Sequence, residues 1–138
     1  MSCFYLAKDL CDDITSMIVR FWWAQQDQDH KIRWLGKENL LKSKKNGGMG
    51  FRDLYGFNLA MLSRQGWRVL QLPKSICAQI LRAKYYPDGD LLNAKPKKYM
   101  SYSWRSILKG LQLLKKGIIW RGGDGLNIIY WDDTWLAR

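Results

Sequence analysis

At 138 residues, 47% of them hydrophobic, the chain has the length of one ordinary domain and too much apolar content for a disordered tail. Its net charge of +11 is confined to the middle, since residues 1–30 sum to −3, residues 31–121 to +16 and residues 122–138 to −2; this favours an anionic partner, nucleic acid first and acidic lipid second. No apolar run approaches the roughly 20 residues of a membrane span, and the early acidic turn of MSCFYLAKDLCDD, which lacks arginine, argues against a signal peptide or an organellar presequence.

The first predicted element is an amphipathic helix over 8–23, with Asp9 as candidate cap. Leu10, Cys11, Ile14, Met17, Ile18, Phe21 and Trp22 fall on one arc, and Asp12, Asp13, Ser16 and Arg20 opposite. AQQDQDHK reads as a polar loop, and KIRWLGKENLL as a short extended entry followed by a helical turn or two. KSKKNGGMGF is a loop by composition, because its glycines and Asn46 permit positive φ. Asp53 is placed to cap a long helix over 54–71, which Pro73 closes, and a second helix over 75–86 ends before Pro87. PDGD reads as a turn and NAKPKKYMS as a basic loop; Ser101 or Ser103 then caps a helix near 103–116 that ends at Gly117. In GIIWRGGDGLNIIYW the period changes to two short β-type runs around Gly-Gly-Asp-Gly, a hairpin signal. The expected fold is a mainly α single domain over 1–138, helical over 8–116, with a C-terminal β-hairpin over 117–138.

Three cysteines, Cys3, Cys11 and Cys77, cannot close a disulfide framework, and with only His30 beside them they do not suggest a zinc site. Reduced, mostly buried thiols are expected. Tyr130-Trp131-Asp132-Asp133 spells the Tyr-x-Asp-Asp of many reverse transcriptases. The two aspartates, however, follow the predicted second strand instead of sitting at a hairpin tip, and no earlier strand offers a matching aspartate. KKNGGMGFRDL is glycine-rich, basic and followed by a helix, yet it lacks the Gly-x-x-x-x-Gly-Lys-Ser/Thr pattern. A phosphate contact from its amides with Lys44 and Lys45 is one reading, and a tight turn into a capped helix the other.

The helices carry a stronger pattern. Arg105, Lys109, Gln112 and Lys116 recur on one face of 103–116, opposite Trp104, Ile107, Leu108, Leu111 and Leu114. In 54–71, Arg64, Arg68 and Gln71 share an arc with Phe57, opposite Tyr55, Leu59, Leu62 and Val69. Two such stripes could straddle a phosphate backbone, or be ordinary solvated faces.

The run FWW…KIRWLGKENLLKSKKNGGMGFRDLYGFNLAMLSRQGWRVL, with LRAKYYP, SYSWRSILKGLQLLKKGIIWRGGDG and the closing WDDTWL, resembles the segment after the polymerase core in plant LINE-type (non-LTR) retrotransposon reverse transcriptases. It also resembles short reading frames of plant mitochondrial genomes. The resemblance spans essentially the whole chain. It implies that the true catalytic aspartates lie upstream of this region, with a zinc-knuckle-like segment and an RNase H-type domain downstream. The chain would then be a fragment that acquired its own start. The stretch from Trp34 to Leu70 resembles the thumb and post-thumb region, which holds the template–primer duplex. Arg52, Arg64, Arg68, Trp104, Arg105, Trp120 and Arg121 match recurrent basic and aromatic positions, with Trp67 and Trp104 also candidates for core.

The leading expectation is a non-catalytic remnant that grips RNA or DNA backbone through Lys44, Lys45, Arg52, Arg64, Arg68, Arg105, Lys109, Lys116 and Arg121. It needs no cofactor, metal or small-molecule substrate. The alternative is a protein-interaction module that binds a host protein or itself through Phe21, Trp22, Trp131 and Trp135. The compartment stays open between nucleus, cytoplasm and mitochondrion.

Overall fold

Local signals set the ends of most helices. The computed structural model describes residues 2–23 and 35–119, and its order is α1 (Lys8–Trp23), α2 (Lys37–Leu41), a 3-10 turn (Lys44–Asn46), α3 (Leu54–Gln71), α4 (Ile76–Tyr85) and α5 (Tyr102–Gly117). The Asp53 carboxylate accepts from the N–H groups of Tyr55 (3.1 Å) and Gly56 (3.2 Å), satisfying two orphan donors at the start of α3. Ser75 caps α4 by accepting from Ala78 N–H, and Ser101, not Ser103, caps α5 by accepting from Trp104 N–H. Asp9 is not a cap; it lies inside the first turn of α1, where its charge suits the helix dipole. Among the described residues the fold is helical and contains no strand. The expected hairpin lies outside the described residues apart from 117–119, where Gly117 ends α5 and Ile118 is extended.

The dominant packing is α3 on α5. Leu62 and Ser63 meet Gly110, while one turn on, Gly66 meets Leu111 and Leu114. Contacts advance in the same sense along both helices, so the two run parallel, and α4 with the 86–101 segment carries the chain back between them. Small residues permit the close approach: Ser63 Oγ lies 2.8 Å from the Gly110 carbonyl oxygen and 2.9 Å from that of Leu59.

The core gathers Val69, Ala78, Tyr85, Tyr86, Leu91, Leu111 and Trp104, which is 0% exposed. The Trp104 ring lies nearly parallel to those of Tyr85 (centroids 4.7 Å apart) and Tyr86 (5.6 Å). The Tyr85 hydroxyl donates to Ser101 Oγ (3.1 Å) and accepts from Ser101 N–H (3.2 Å), which ties the end of α4 to the cap of α5. The Trp104 indole N–H is buried and has no acceptor among the described residues.

A strap of non-helical chain, residues 4–6, bridges α3 and α5. The fully buried Asn58 side chain donates to the Phe4 carbonyl oxygen and accepts from Leu6 N–H, both at 2.9 Å. Ser106 Oγ accepts from Tyr5 N–H (2.9 Å) and donates to the Tyr102 carbonyl oxygen (2.8 Å), while the Tyr102 hydroxyl donates to the Tyr5 carbonyl oxygen at 2.6 Å. The strap's polar backbone is thereby matched by side chains instead of a neighbouring strand.

Two expectations change here. The buried stripe of α1 is Cys11, Thr15 and Val19, at i, i+4 and i+8, whereas Leu10, Met17, Ile18, Phe21 and Trp22 stay exposed. Of the cysteines, only Cys11 is buried, and burial pushes its thiol up; Cys3 and Cys77 are exposed, because Cys77 occupies the outward side of α4 with Ile76 and Ile80. An ion pair of 2.7 Å joins α1 to α2, and the Lys37 ammonium beside Asp12 holds that carboxyl below the usual carboxylate range.

Candidate nucleic-acid interface

Lys44 and Lys45 stand on the 3-10 turn of a loop whose later amides, from Asn46 to Phe51, are already engaged. The N–H groups of Asn46 and Gly48 donate to Ser43, Gly47 to Lys44, Met49 to Asn39, Gly50 to Lys42 and Phe51 to Leu40. Gly47 and Gly50 adopt φ of 74°, which lets the loop fold back, and a Cβ at Gly48 would collide with the Lys42 carbonyl. The amides of residues 46–51 are thereby turned inward, away from any phosphate outside the loop. What the loop offers is two exposed ammonium groups.

On α3 the stripe Asn58, Leu62, Gly66, Val69 faces inward, so Arg64, Arg68 and Gln71 project outward, as their spacing predicts. Trp67 projects with them and is 43% exposed; it is not core. Met61, Arg64, Trp67, Arg68, Gln71 and Leu72 are among the residues lining an open groove of ≈ 520 Å³. Arg52 is exposed near the start of the helix, its guanidinium carbon 4.4 Å from the centre of the Phe57 ring.

On α5, Trp104, Ser106, Gly110 and Leu111 face inward, leaving Arg105, Lys109, Gln112 and Lys116 exposed. A second groove of ≈ 350 Å³ runs between α5 and the 92–100 segment, with Leu92, Met100, Leu108 and Leu111 among its apolar lining and Arg105 and Lys109 beside them. Lys109 Nζ also lies 6.0 Å from the Tyr5 ring centre. Lys115 lines the same groove and donates to Asn93 Oδ1 at 2.9 Å. It belongs with the basic set, and its place off the regular i, i+4, i+7 stripe concealed it in the sequence.

Among the described residues the one ion pair is Lys37 with Asp12. Arg52, Arg64, Arg68, Arg105, Lys109 and Lys116 form no ion pair with a carboxylate among the described residues. Such a surface attracts polyanions, and its attraction is screened over about 10 Å at 0.1 M salt.

The aromatic candidates divide. Phe21 is 82% exposed; Trp22 is 50% exposed and meets Phe51 edge-on with ring centres 5.3 Å apart. His30, Trp120, Arg121, Trp131, Asp132, Asp133 and Trp135 lie outside the described residues. Among the described residues no three His, Cys, Asp or Glu side chains gather where they could hold a metal ion, and no helix is long and apolar enough to cross a membrane.

The chain is 39% identical over 137 residues to "Uncharacterized mitochondrial protein AtMg00310" of Arabidopsis thaliana, a match covering 99% of this chain and 89% of that one. It is 31% identical over 144 residues to "Putative ribonuclease H protein At1g65750" of the same plant, a match that covers 99% of this chain but 23% of that protein. No family model and no solved structure matches.

Proposed function

The chain belongs to the family of the Arabidopsis mitochondrial protein AtMg00310, and from that premise we propose that it is a non-catalytic, nucleic-acid-binding remnant of a retroelement reverse transcriptase. The retroelement origin draws support from the relative named as a ribonuclease H, because the LINE-type elements that the sequence resembles carry an RNase H-type domain downstream of this region. Within such an element the segment corresponds to the thumb and the region after it.

The observation that carries binding is the set of cations with no carboxylate partner among the described residues on the outer faces of two packed, parallel helices, Arg64 and Arg68 on α3 and Arg105, Lys109 and Lys116 on α5. Each cation that meets a phosphate releases condensed counterions, so log affinity falls with log salt by about 0.9 per phosphate contact on duplex DNA and about 0.7 on single strands. Duplex and single-strand affinities are expected to drop steeply between low and moderate salt. Replacing Arg105 and Lys109 with Gln should lower that slope by about 1 for each phosphate partner removed and weaken all base sequences alike. A flat salt profile for the unmodified chain would overturn the proposal. So would metal-dependent primer extension that requires both Asp132 and Asp133.

A second reading has its own observation, the exposed apolar side of α1 at Leu10, Met17, Ile18 and Phe21. Here the protein is an interaction module for a host protein or for itself. If changing Phe21 and Trp22 to Ala releases a co-purifying protein while nucleic-acid binding holds, this second reading prevails.

A further inference from the structure

We propose that the groove on the outer side of α3 is a stacking site for an unpaired nucleobase of single-stranded RNA or DNA, with the Trp67 indole as its platform. This inference rests on the nucleic-acid-binding reading and adds to it a contact with bases.

A lone exposed tryptophan is unremarkable on a protein surface. This one has particular company. Arg64 precedes it by three residues and Gln71 comes four later, so both neighbour the indole on the outer face of the helix, and Arg68 lines the same groove from the next position. With Met61 and Leu72 they line one groove of ≈ 520 Å³. Inward packing does not explain the tryptophan, since the buried stripe of α3 passes through Gly66 and Val69 on either side of position 67 and leaves the ring 43% exposed. Neither guanidinium has a carboxylate partner among the described residues.

The chemistry selects its occupant. An indole face accepts any base by stacking, the two guanidinium groups fit the phosphates on either side of it, and the Gln71 amide can hydrogen-bond a base edge. A base within a duplex has both faces covered by its neighbours, so only an unpaired nucleotide can use the indole. Phosphates alone would need the arginines but not the ring. The tryptophan therefore turns a general polyanion surface into one that distinguishes single strands from duplexes.

The test uses the full chain with a fluorescently labelled mixed-sequence oligonucleotide, alone and annealed to its complement, across a salt series. Trp67→Ala should weaken single-strand binding on the order of 5- to 150-fold, leave duplex binding unchanged and keep the salt slope. Trp67→Phe, which retains an aromatic face, should recover part of the loss. Because the ring is half exposed, circular dichroism should show native helicity in both variants. Salt-dependent binding by the parent chain with equal single-strand affinity in Trp67→Ala would overturn the stacking site while leaving the nucleic-acid-binding reading intact. Equal losses on single strands and duplexes would also overturn it. Absence of salt-dependent binding in the parent chain would remove the reading itself, and the inference with it.

Discussion

Trp104→Ala is expected to lower the stability of the fold by about 3–5 kcal/mol, the range for emptying a large aromatic site in a packed core. A domain of this size has roughly 5–15 kcal/mol in total, so the variant should unfold at a much lower urea concentration. The ring is 0% exposed and lies against both Tyr85 and Tyr86, so its removal leaves a cavity lined by side chains from the end of α4 that cannot follow it. Trp104→Phe offers a sharp contrast. It keeps an aromatic surface against the two tyrosines and deletes an indole N–H that has no acceptor among the described residues. A buried unsatisfied donor costs about 1–3 kcal/mol, so the phenylalanine variant should lose far less than the alanine one. Equal losses would mean that the tryptophan is held by its N–H and not by its rings.

Gly110→Ala should also be destabilising, although alanine is the better helix former by about 1 kcal/mol. A Cβ at position 110 would lie 2.5 Å from the Leu62 carbonyl carbon and 2.6 Å from Ser63 N. Both are backbone atoms, so no side-chain rotation relieves the overlap and α3 and α5 must separate. Overpacking of this kind costs about 1–3 kcal/mol and occasionally more. Separation would also stretch the hydrogen bond from Ser63 Oγ to the Gly110 carbonyl, now 2.8 Å. Gly117→Ala, at the end of the same helix with nothing within 4 Å of its added carbon, should be neutral or stabilising by up to about 1 kcal/mol. Chemical denaturation of the pair measures both. A Gly110→Ala chain as stable as the parent would refute the close crossing.

Helix positions were legible wherever punctuation is local. Asp53, Pro73 and Pro87 frame α3 and α4, each acting on residues a few positions away through a cap or a blocked φ, whereas Ser75, expected inside the second helix, is its cap. The outward placement of Arg64, Arg68, Arg105, Lys109 and Lys116 was legible as well, because helical period fixes which side chains share a face. Period does not say which side of a helix meets a neighbour. On α1 the buried stripe is turned away from the apolar arc and shares Cys11 with it, so Thr15 and Val19 go inside and Phe21 stays out. Trp67 departs from expectation for a related reason, since size and hydrophobicity suggest core while its angle on α3 places it beside the arginines. The amides of the 46–51 loop have acceptors that no composition rule reveals, and the Asn58 and Ser106 contacts with the strap join positions 52 and 101 residues apart.

That strap has a consequence for the way the chain is made. Its backbone partners come from two different helices, Asn58 in α3 and Ser106 in α5, so its site is complete only when the second helix has been synthesised and packed. Residues 4–6 precede both helices in the chain and yet are among the last to settle, so they report on the assembly of the helices that hold them. In pulsed hydrogen exchange, the Tyr5 and Leu6 amides should gain protection together with the α3–α5 interface and not with the early turns of α1.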